Sequence, residues 1–211
     1  MRVVVLASGR GSNLEALIDA QHGGQLPIRI VGVLSDKPEA RALELARSHD
    51  IAAIHLDPRQ FPDRRAYDLA LFARIADLHA DLIVLAGFMR ILDAEAFAPW
   101  LGRIINIHPS LLPRYPGLHT HRRALAAGDH EHGASVHFVT AELDGGPVIA
   151  QTVIEIAEGD TEDSLASRLL AREHRLLVAC VCMLAAGRLA LKADTILLDG
   201  VALAAPLRLP D

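Results

Sequence analysis

MRVVVLASGRGSNLEALIDAQH, Met1 to His22, is the stretch that decides the fold class. A β-branched run over Val3–Ala7 gives way to Ser8-Gly9-Arg10-Gly11-Ser12-Asn13. Apolar residues then recur at spacings of three and four from Leu14 to His22, which predicts a strand, a glycine turn and a helix in succession. Such a turn aims backbone amides and the positive end of a helix at one point, which suits an anion, most simply a phosphate. Glycine is also what a tight βα turn needs for conformational reasons alone. A dinucleotide fingerprint would place a third glycine near Leu14, and a Walker loop would read Gly-Lys-Ser or Gly-Lys-Thr. Neither is present, so hydride transfer and ATP chemistry are disfavoured.

Outward from this unit the same alternation continues. Strands are expected at Ile28–Leu34, Ala53–Leu56, Leu82–Ala86 and Arg103–Ile107, and helices at Pro38–His49 and Asp63–His79, so the fold class is α/β with a mostly parallel central sheet and helices on both faces. NIHPSLLPRYPGLHTH, Asn106 to His121, is too dense in breakers for regular structure and too long for a turn, the profile of a functional loop. Ala134–Thr140 and Val148–Ile156 alternate apolar and polar residues around Asp144-Gly145-Gly146-Pro147 and predict an antiparallel extension. A long helix is expected from Thr161, capped by Thr161 or Asp160, to about Ala186. The whole of 1–211 reads as one domain: a phosphate-binding half at 1–105, the loop, added strands and long helix at 106–188, and a small hairpin with a tail at 189–211.

Bulk properties narrow the partners. The 211 residues carry 21 Lys and Arg against 26 Asp and Glu, a formal charge of −5, which argues against a nucleic-acid binder and leaves small molecules as the expected partners. An anionic ligand must then be met locally by arginines and backbone amides. No stretch has the uninterrupted apolar length of a membrane span, and the first residues lack a secretory core, so a cytoplasmic protein without membrane association is expected. The two cysteines, Cys180 and Cys182, lie in the apolar run LLVACVCMLAA, where neighbours two apart on a helix face different ways; a reducing compartment and core packing fit them. Sequence leaves the oligomeric state open.

Candidate chemistry gathers near the end of the fifth predicted strand. Asn106 and His108 stand two apart and so share one face at the carboxyl edge, where open α/β sheets bind their ligands. A neutral amide beside a titratable donor suits an oxyanion, although both residues could equally be structural. Asp144 taken alone is an ordinary turn aspartate. His119-x-His121 and His130-x-His132 lack the Cys or carboxylate companions of a metal site, so no metal is expected. Neither cysteine has a basic neighbour and no Gly-x-Ser-x-Gly elbow occurs, so a covalent acyl intermediate is unsupported.

SGRGSN, LAGFMRIL at Leu85–Leu92, NIHPSLLPRYPGLHTHR at Asn106–Arg122, HGASVHFV at His132–Val139 and ELDGGPVI at Glu142–Ile149, in this order and spacing, resemble the folate-dependent phosphoribosylglycinamide formyltransferase family over about nine tenths of the chain. The resemblance implies a Rossmann-like formyltransferase fold, 10-formyltetrahydrofolate as co-substrate, and Asn106, His108 and Asp144 as catalytic residues. It implies that Gly11, Ser12, Asn13 and Glu173 meet the phosphoribosylglycinamide. It implies a folate site built from Arg64, Met89, Arg90, Ile91, Leu92, Asn106, Thr140, Ala141, Glu142, Leu143 and Asp144. Position 170, part of the substrate-side segment, is polar or basic in some relatives but Leu170 here, so no phosphate contact is expected from it.

Direct attack of an amine on the formyl carbon needs an oxyanion stabilised and a proton moved, and no covalent enzyme intermediate. Asn106 would supply a neutral donor and protonated His108 a charged one. An adjacent Asp144 carboxylate is expected to favour the imidazolium by about 1 to 3 pKa units. Leu112-Pro113 and Tyr115-Pro116 are candidate cis bonds. The rival readings are a formyltetrahydrofolate hydrolase, which would want an additional amino-terminal regulatory domain, a methionyl-tRNA formyltransferase, which would want a basic appended domain, and a non-catalytic folate or nucleotide sensor.

Overall fold

A computed structural model describes residues 1–209; Pro210 and Asp211, the end of the predicted tail, lie outside the described residues. The chain divides into two compact units, Met1–Asn106 and the remainder from Ile107.

The first unit holds β1 (Arg2–Leu6), α1 (Ser12–His22), β2 (Arg29–Ser35), α2 (Arg41–Ser48), β3 (Ala53–His55), α3 (Arg64–Asp77), β4 (Leu82–Leu85), the short α4 (Ala94–Phe97) and most of β5 (Ile104–His108). Its strands run in the order β3-β2-β1-β4-β5, and each adjacent pair is parallel. Val3 through Leu6 are fully buried, as are Ile83 and Val84, which is why β1 and β4 read as continuous apolar runs: a parallel strand covered on both faces has no wet side to alternate with. Because β1 is flanked by β2 on one side and β4 on the other, the strand order reverses there. The crevice outside the carboxyl ends of β1 and β4 is the topological switch point, where folds of this class bind ligands. The glycine turn leaves β1 and the segment Gly87–Asp93 leaves β4, so both lie at that point.

The second unit begins with the last two residues of β5 and adds α5 (Thr120–Ala127), β6 (Glu131–Phe138), β7 (Val148–Glu155), α6 (Glu162–Ala185), β8 (Leu189–Lys192), β9 (Thr195–Leu198), β10 (Val201–Ala202) and β11 (Leu207–Arg208). β6 and β7 form the expected antiparallel pair, with a register shift between Val136 and His137. β11 lies parallel to β7, and β8, β9 and β10 make a separate antiparallel sheet, of which the hairpin β8–β9 was expected. α6 starts on a capping box: Thr161 Oγ1 accepts from the Ser164 amide at 3.2 Å and Ser164 Oγ from the Thr161 amide at 2.9 Å. Thr161, not Asp160, is therefore the cap. Cys180 is fully buried, as core packing requires, and its thiol is pushed up by that burial.

One regular element breaks the reading of Asn106–His121 as an irregular loop. α5 starts at Thr120, after His119 in left-handed conformation (φ 59°), and stops at Gly128, also left-handed (φ 68°). The 3-10 turns at Pro58–Gln60 and Ala98–Trp100, α4, and the two-residue strands β10 and β11 were likewise not expected. No helix among the described residues is long and apolar enough to cross a membrane.

Candidate active site

In the first unit the site begins with the turn after β1. Gly11 occupies the N-cap of α1 at φ 79°, and a Cβ there would stand 3.0 Å from both Cα and Cβ of Ala42, so glycine is required twice over. No side chain caps α1, and Ser12 and Asn13 form its first turn, where helix amides have no intrahelical acceptor. The Asn13 Oδ1 is buried and finds no hydrogen-bond partner among the described residues.

The segment after β4 presents Met89 and Ile91 outward, 67% and 55% exposed, while the Arg90 guanidinium lies 4.6 Å from the centroid of Tyr67. Leu92 is half-buried, and Arg64, the first residue of α3, is exposed. Asn106, half-buried, closes the unit on β5 in register with Leu85 of β4.

In the second unit His108, the last residue of β5, is 6% exposed. Its Nε2 lies 2.9 Å from the Tyr115 carbonyl; a carbonyl has no proton to give, so Nε2 carries the hydrogen and donates. Its Nδ1 faces Asp144 Oδ2 at 3.5 Å. That same oxygen accepts from the Gly117 amide at 2.8 Å, and the other, Oδ1, lies 3.7 Å from His137 Nε2. His137 is buried and donates from Nδ1 to the Phe138 carbonyl at 2.9 Å. One carboxylate is therefore bracketed by two histidines, each oriented by a backbone carbonyl.

Burial is the largest influence on His108 and holds its pKa below the usual histidine value. The Tyr115 hydrogen bond and the Asp144 charge push the other way without prevailing, while His137 and Arg123 add to the lowering. Asp144 favours the imidazolium, as expected from its charge, but desolvation outweighs that contribution and the balance favours the neutral ring. For Asp144 burial again acts most strongly and upward, yet the facing His137 ring, the Gly117 amide and the positive charge that the two histidines bring when protonated together hold the carboxyl below its ordinary range.

The loop between β5 and α5 is held from beneath by a buried polar set. Ser135 Oγ donates to the Ser110 carbonyl at 2.7 Å and accepts from the Leu112 amide at 3.1 Å, and Gln151 Nε2 donates to the Leu112 carbonyl and to Ser135 Oγ, both at 2.9 Å. Leu112–Pro113 is cis; Tyr115–Pro116 is not among the cis bonds of the described residues. Tyr115 and Asp144 both have left-handed backbones, at φ 55° and 50°. After Asp144, Gly146 passes so close to β6 that a Cβ would fall 1.9 Å from the Phe138 carbonyl oxygen, which explains a glycine at that point of the turn.

Thr140 is half-buried and Ala141, Glu142 and Leu143 are exposed ahead of Asp144, while Glu173 is half-buried on α6. His121 and His132 form a pair, Nδ1 to Nε2, at 2.9 Å, and no group of three or more metal-ligating side chains occurs among the described residues. Sequence reasoning missed His137, Ser135, Gln151 and Tyr67. The alternation of β6 assigns Ser135 and His137 to the face opposite Ala134, Val136 and Phe138, which reads as the wet one, whereas the structure buries both faces of this strand and Gln151 beside it.

The formyl transferase family matches residues 1–181. Phosphoribosylglycinamide formyltransferase of Escherichia coli K12 is 48% identical over 200 residues, which cover 95% of this chain and 94% of that protein. The solved phosphoribosylglycinamide formyltransferase of Coxiella burnetii superposes with a TM-score of 0.95 at 44% identity, covering 100% of this chain and 99% of that one. A more distant structure, the formyltetrahydrofolate deformylase of Pseudomonas syringae pv. tomato, has a TM-score of 0.84 at 27% identity and matches 93% of this chain but 65% of its own.

Proposed function

The chain belongs to the formyl transferase family, and from that premise we propose that it transfers a formyl group from 10-formyltetrahydrofolate to the amine of 5-phosphoribosylglycinamide in purine biosynthesis, in the cytoplasm. The observation that carries the reading is the buried His108 facing Asp144, whose other oxygen faces His137.

Direct transfer makes a bond from the amine nitrogen to the formyl carbon and breaks the bond from that carbon to the folate nitrogen. The amine sheds one proton and the departing nitrogen gains one. Asn106 donates an uncharged hydrogen bond to the tetrahedral oxygen, an interaction of the kind worth about 3 to 4 kcal/mol in a transition state. A neutral His108 takes up the proton with Asp144 beside Nδ1 to stabilise the imidazolium, so the pair stores the proton until the leaving group needs it. The amides of the glycine turn, with Ser12 and Asn13, hold the acceptor phosphate, and Glu173 meets the same substrate. The donor lies against Met89, Arg90, Ile91, Leu92 and the stretch Thr140–Asp144, with Arg64 toward its carboxylate tail. The exposed Met89 and Ile91 and the Arg90 among them are the mixture of apolar walls and polar groups that small-molecule sites use.

Turnover with purified protein tests this. Glycinamide ribonucleotide and 10-formyltetrahydrofolate should yield formylated acceptor and tetrahydrofolate in equal amounts. Folate product without formylated acceptor would replace the reading with a hydrolase, formylation of methionyl-tRNA with the tRNA enzyme, and folate binding without turnover with a sensor.

A further inference from the structure

We propose that Ser8 and Asp36 are positioning residues for the formyl donor: together they pin the backbone of the segment Gly87–Asp93 across the switch point of the sheet. The proposal rests on the reading of that segment as the donor site.

Ser8 is the second residue past β1, half-buried at the start of the glycine turn. Its amide donates to the Gly87 carbonyl at 3.0 Å, and its hydroxyl accepts from the Met89 amide at 2.9 Å. The same hydroxyl donates to Asp36 Oδ1 at 2.6 Å. Asp36 directly follows β2 and is 6% exposed. With its proton directed to a carboxylate, the hydroxyl is fixed with a lone pair toward Met89, and charge assistance makes that orientation firmer than a neutral partner would. Backbone and side chain of one serine thus close a ring onto Gly87 and Met89.

The segment is held at two further points by α3. Asp68, fully buried, accepts from the Asp93 amide at 2.7 Å, and the Tyr67 ring carries the Arg90 guanidinium, whose Nε is buried and finds no hydrogen-bond partner among the described residues. Stacking therefore does the orienting at Arg90. Between these ties Met89 and Ile91 keep their side chains in solvent. A backbone tied down beneath exposed apolar side chains is pre-organised for a ligand, and ordering it beforehand removes that cost from binding.

The glycine turn has its own anchor, since the Ala42 amide donates to the Gly9 carbonyl at 3.2 Å, so loosening Ser8 should act on the donor side selectively. Ser8→Ala removes both hydrogen bonds of the hydroxyl, of which the one from Met89 ties the segment, and the expected result is a rise in donor KM of about five- to tenfold, with acceptor KM within about twofold. Ser8→Thr keeps the hydroxyl and should restore donor KM to within about twofold. Asp36→Asn leaves a weaker, neutral acceptor and should fall between.

The experiment measures both KM values, kcat and the thermal midpoint of the three variants, together with hydrogen exchange at the Met89 amide in the ligand-free protein. Faster exchange at Met89 in Ser8→Ala, with the selective rise in donor KM, supports the proposal. An unchanged donor KM at an unchanged midpoint, equal rises in both KM values, or failure of Ser8→Thr to restore would each overturn it. Wild-type protein that exchanges slowly at Met89 but neither binds nor turns over the folate would show instead that the donor reading is wrong.

Discussion

His137 Nε2 lies 3.7 Å from Oδ1 of Asp144, the carboxylate oxygen that does not face His108. The second histidine is as buried as the first and is aimed by the carbonyl of the next residue. A proton taken up at either facing nitrogen falls beside the same carboxylate, so His137 belongs to the electrostatics of the pair without standing at its end.

His137→Phe should destabilise the protein by about 1 to 3 kcal/mol at neutral pH, because a buried carboxylate loses a partner. Asp144 is depressed below its ordinary pKa of 3.8 in the folded state, so its contribution is present above that value and is lost as pH falls through the folded one. The gap between wild type and variant should therefore narrow on going down from about pH 5 into the carboxylate range. Denaturant midpoints at several pH values measure it, and a gap that stays constant would return His137 to a packing role.

Asp144→Asn tests the charge on His108. The pKa of His108 is already lowered by burial, and Asp144 opposes that lowering, so removing the charge should lower it further. If the working form is the neutral ring, activity is present above the His108 pKa and is lost as pH falls through it. In Asp144→Asn the acid limb of kcat/KM should move to lower pH while the plateau drops by about 10² to 10⁴, the range for a positioned acid–base group. A uniform loss with an unmoved limb would make Asp144 a geometric or water-holding residue.

Asn106→Ala should cost about 10² to 10³ in kcat with little change in either KM, since its hydrogen bond is made to charge that develops only in the transition state. Steady-state kinetics with a parallel thermal scan decides it. A loss wholly accounted for by a lower unfolding temperature would make Asn106 a residue of β5 and nothing more.

Ser12→Ala combined with Asn13→Ala should raise the acceptor KM and leave the donor KM nearly unchanged. Backbone amides of the turn survive the substitution, so the effect should be about ten- to a hundredfold, the size of one or two side-chain hydrogen bonds to a charged group. Equal affinity for phosphorylated and dephosphorylated acceptor in the wild type would remove the phosphate from this turn altogether.

Much of this protein is local and therefore legible in its residues. The β-branched run of β1, the glycines that follow and the period of α1 each follow from backbone sterics within a few residues, as does the turn after Asp144, while the start of α6 was narrowed to Thr161 or Asp160 before the capping box settled on Thr161. α5 was hidden because its eight residues THRRALAA carry little apolar periodicity and follow a proline-rich stretch, and its ends are set by left-handed His119 and Gly128. Asn106 and His108 could be paired from their spacing, since a strand puts alternate residues on one face.

What only the tertiary structure decided is how those groups are surrounded. Ser8, Asp36 and Met89 are distant in sequence and meet because the order β2-β1-β4 brings three strand ends together. His137 reaches Asp144 because the β6–β7 turn folds back on its own strand, with Gly146 against Phe138. The charge state of His108 is the plainest case: a neighbouring carboxylate and a buried site act in opposite directions on the same ring, and burial is a property of the packed fold, which determines the winner.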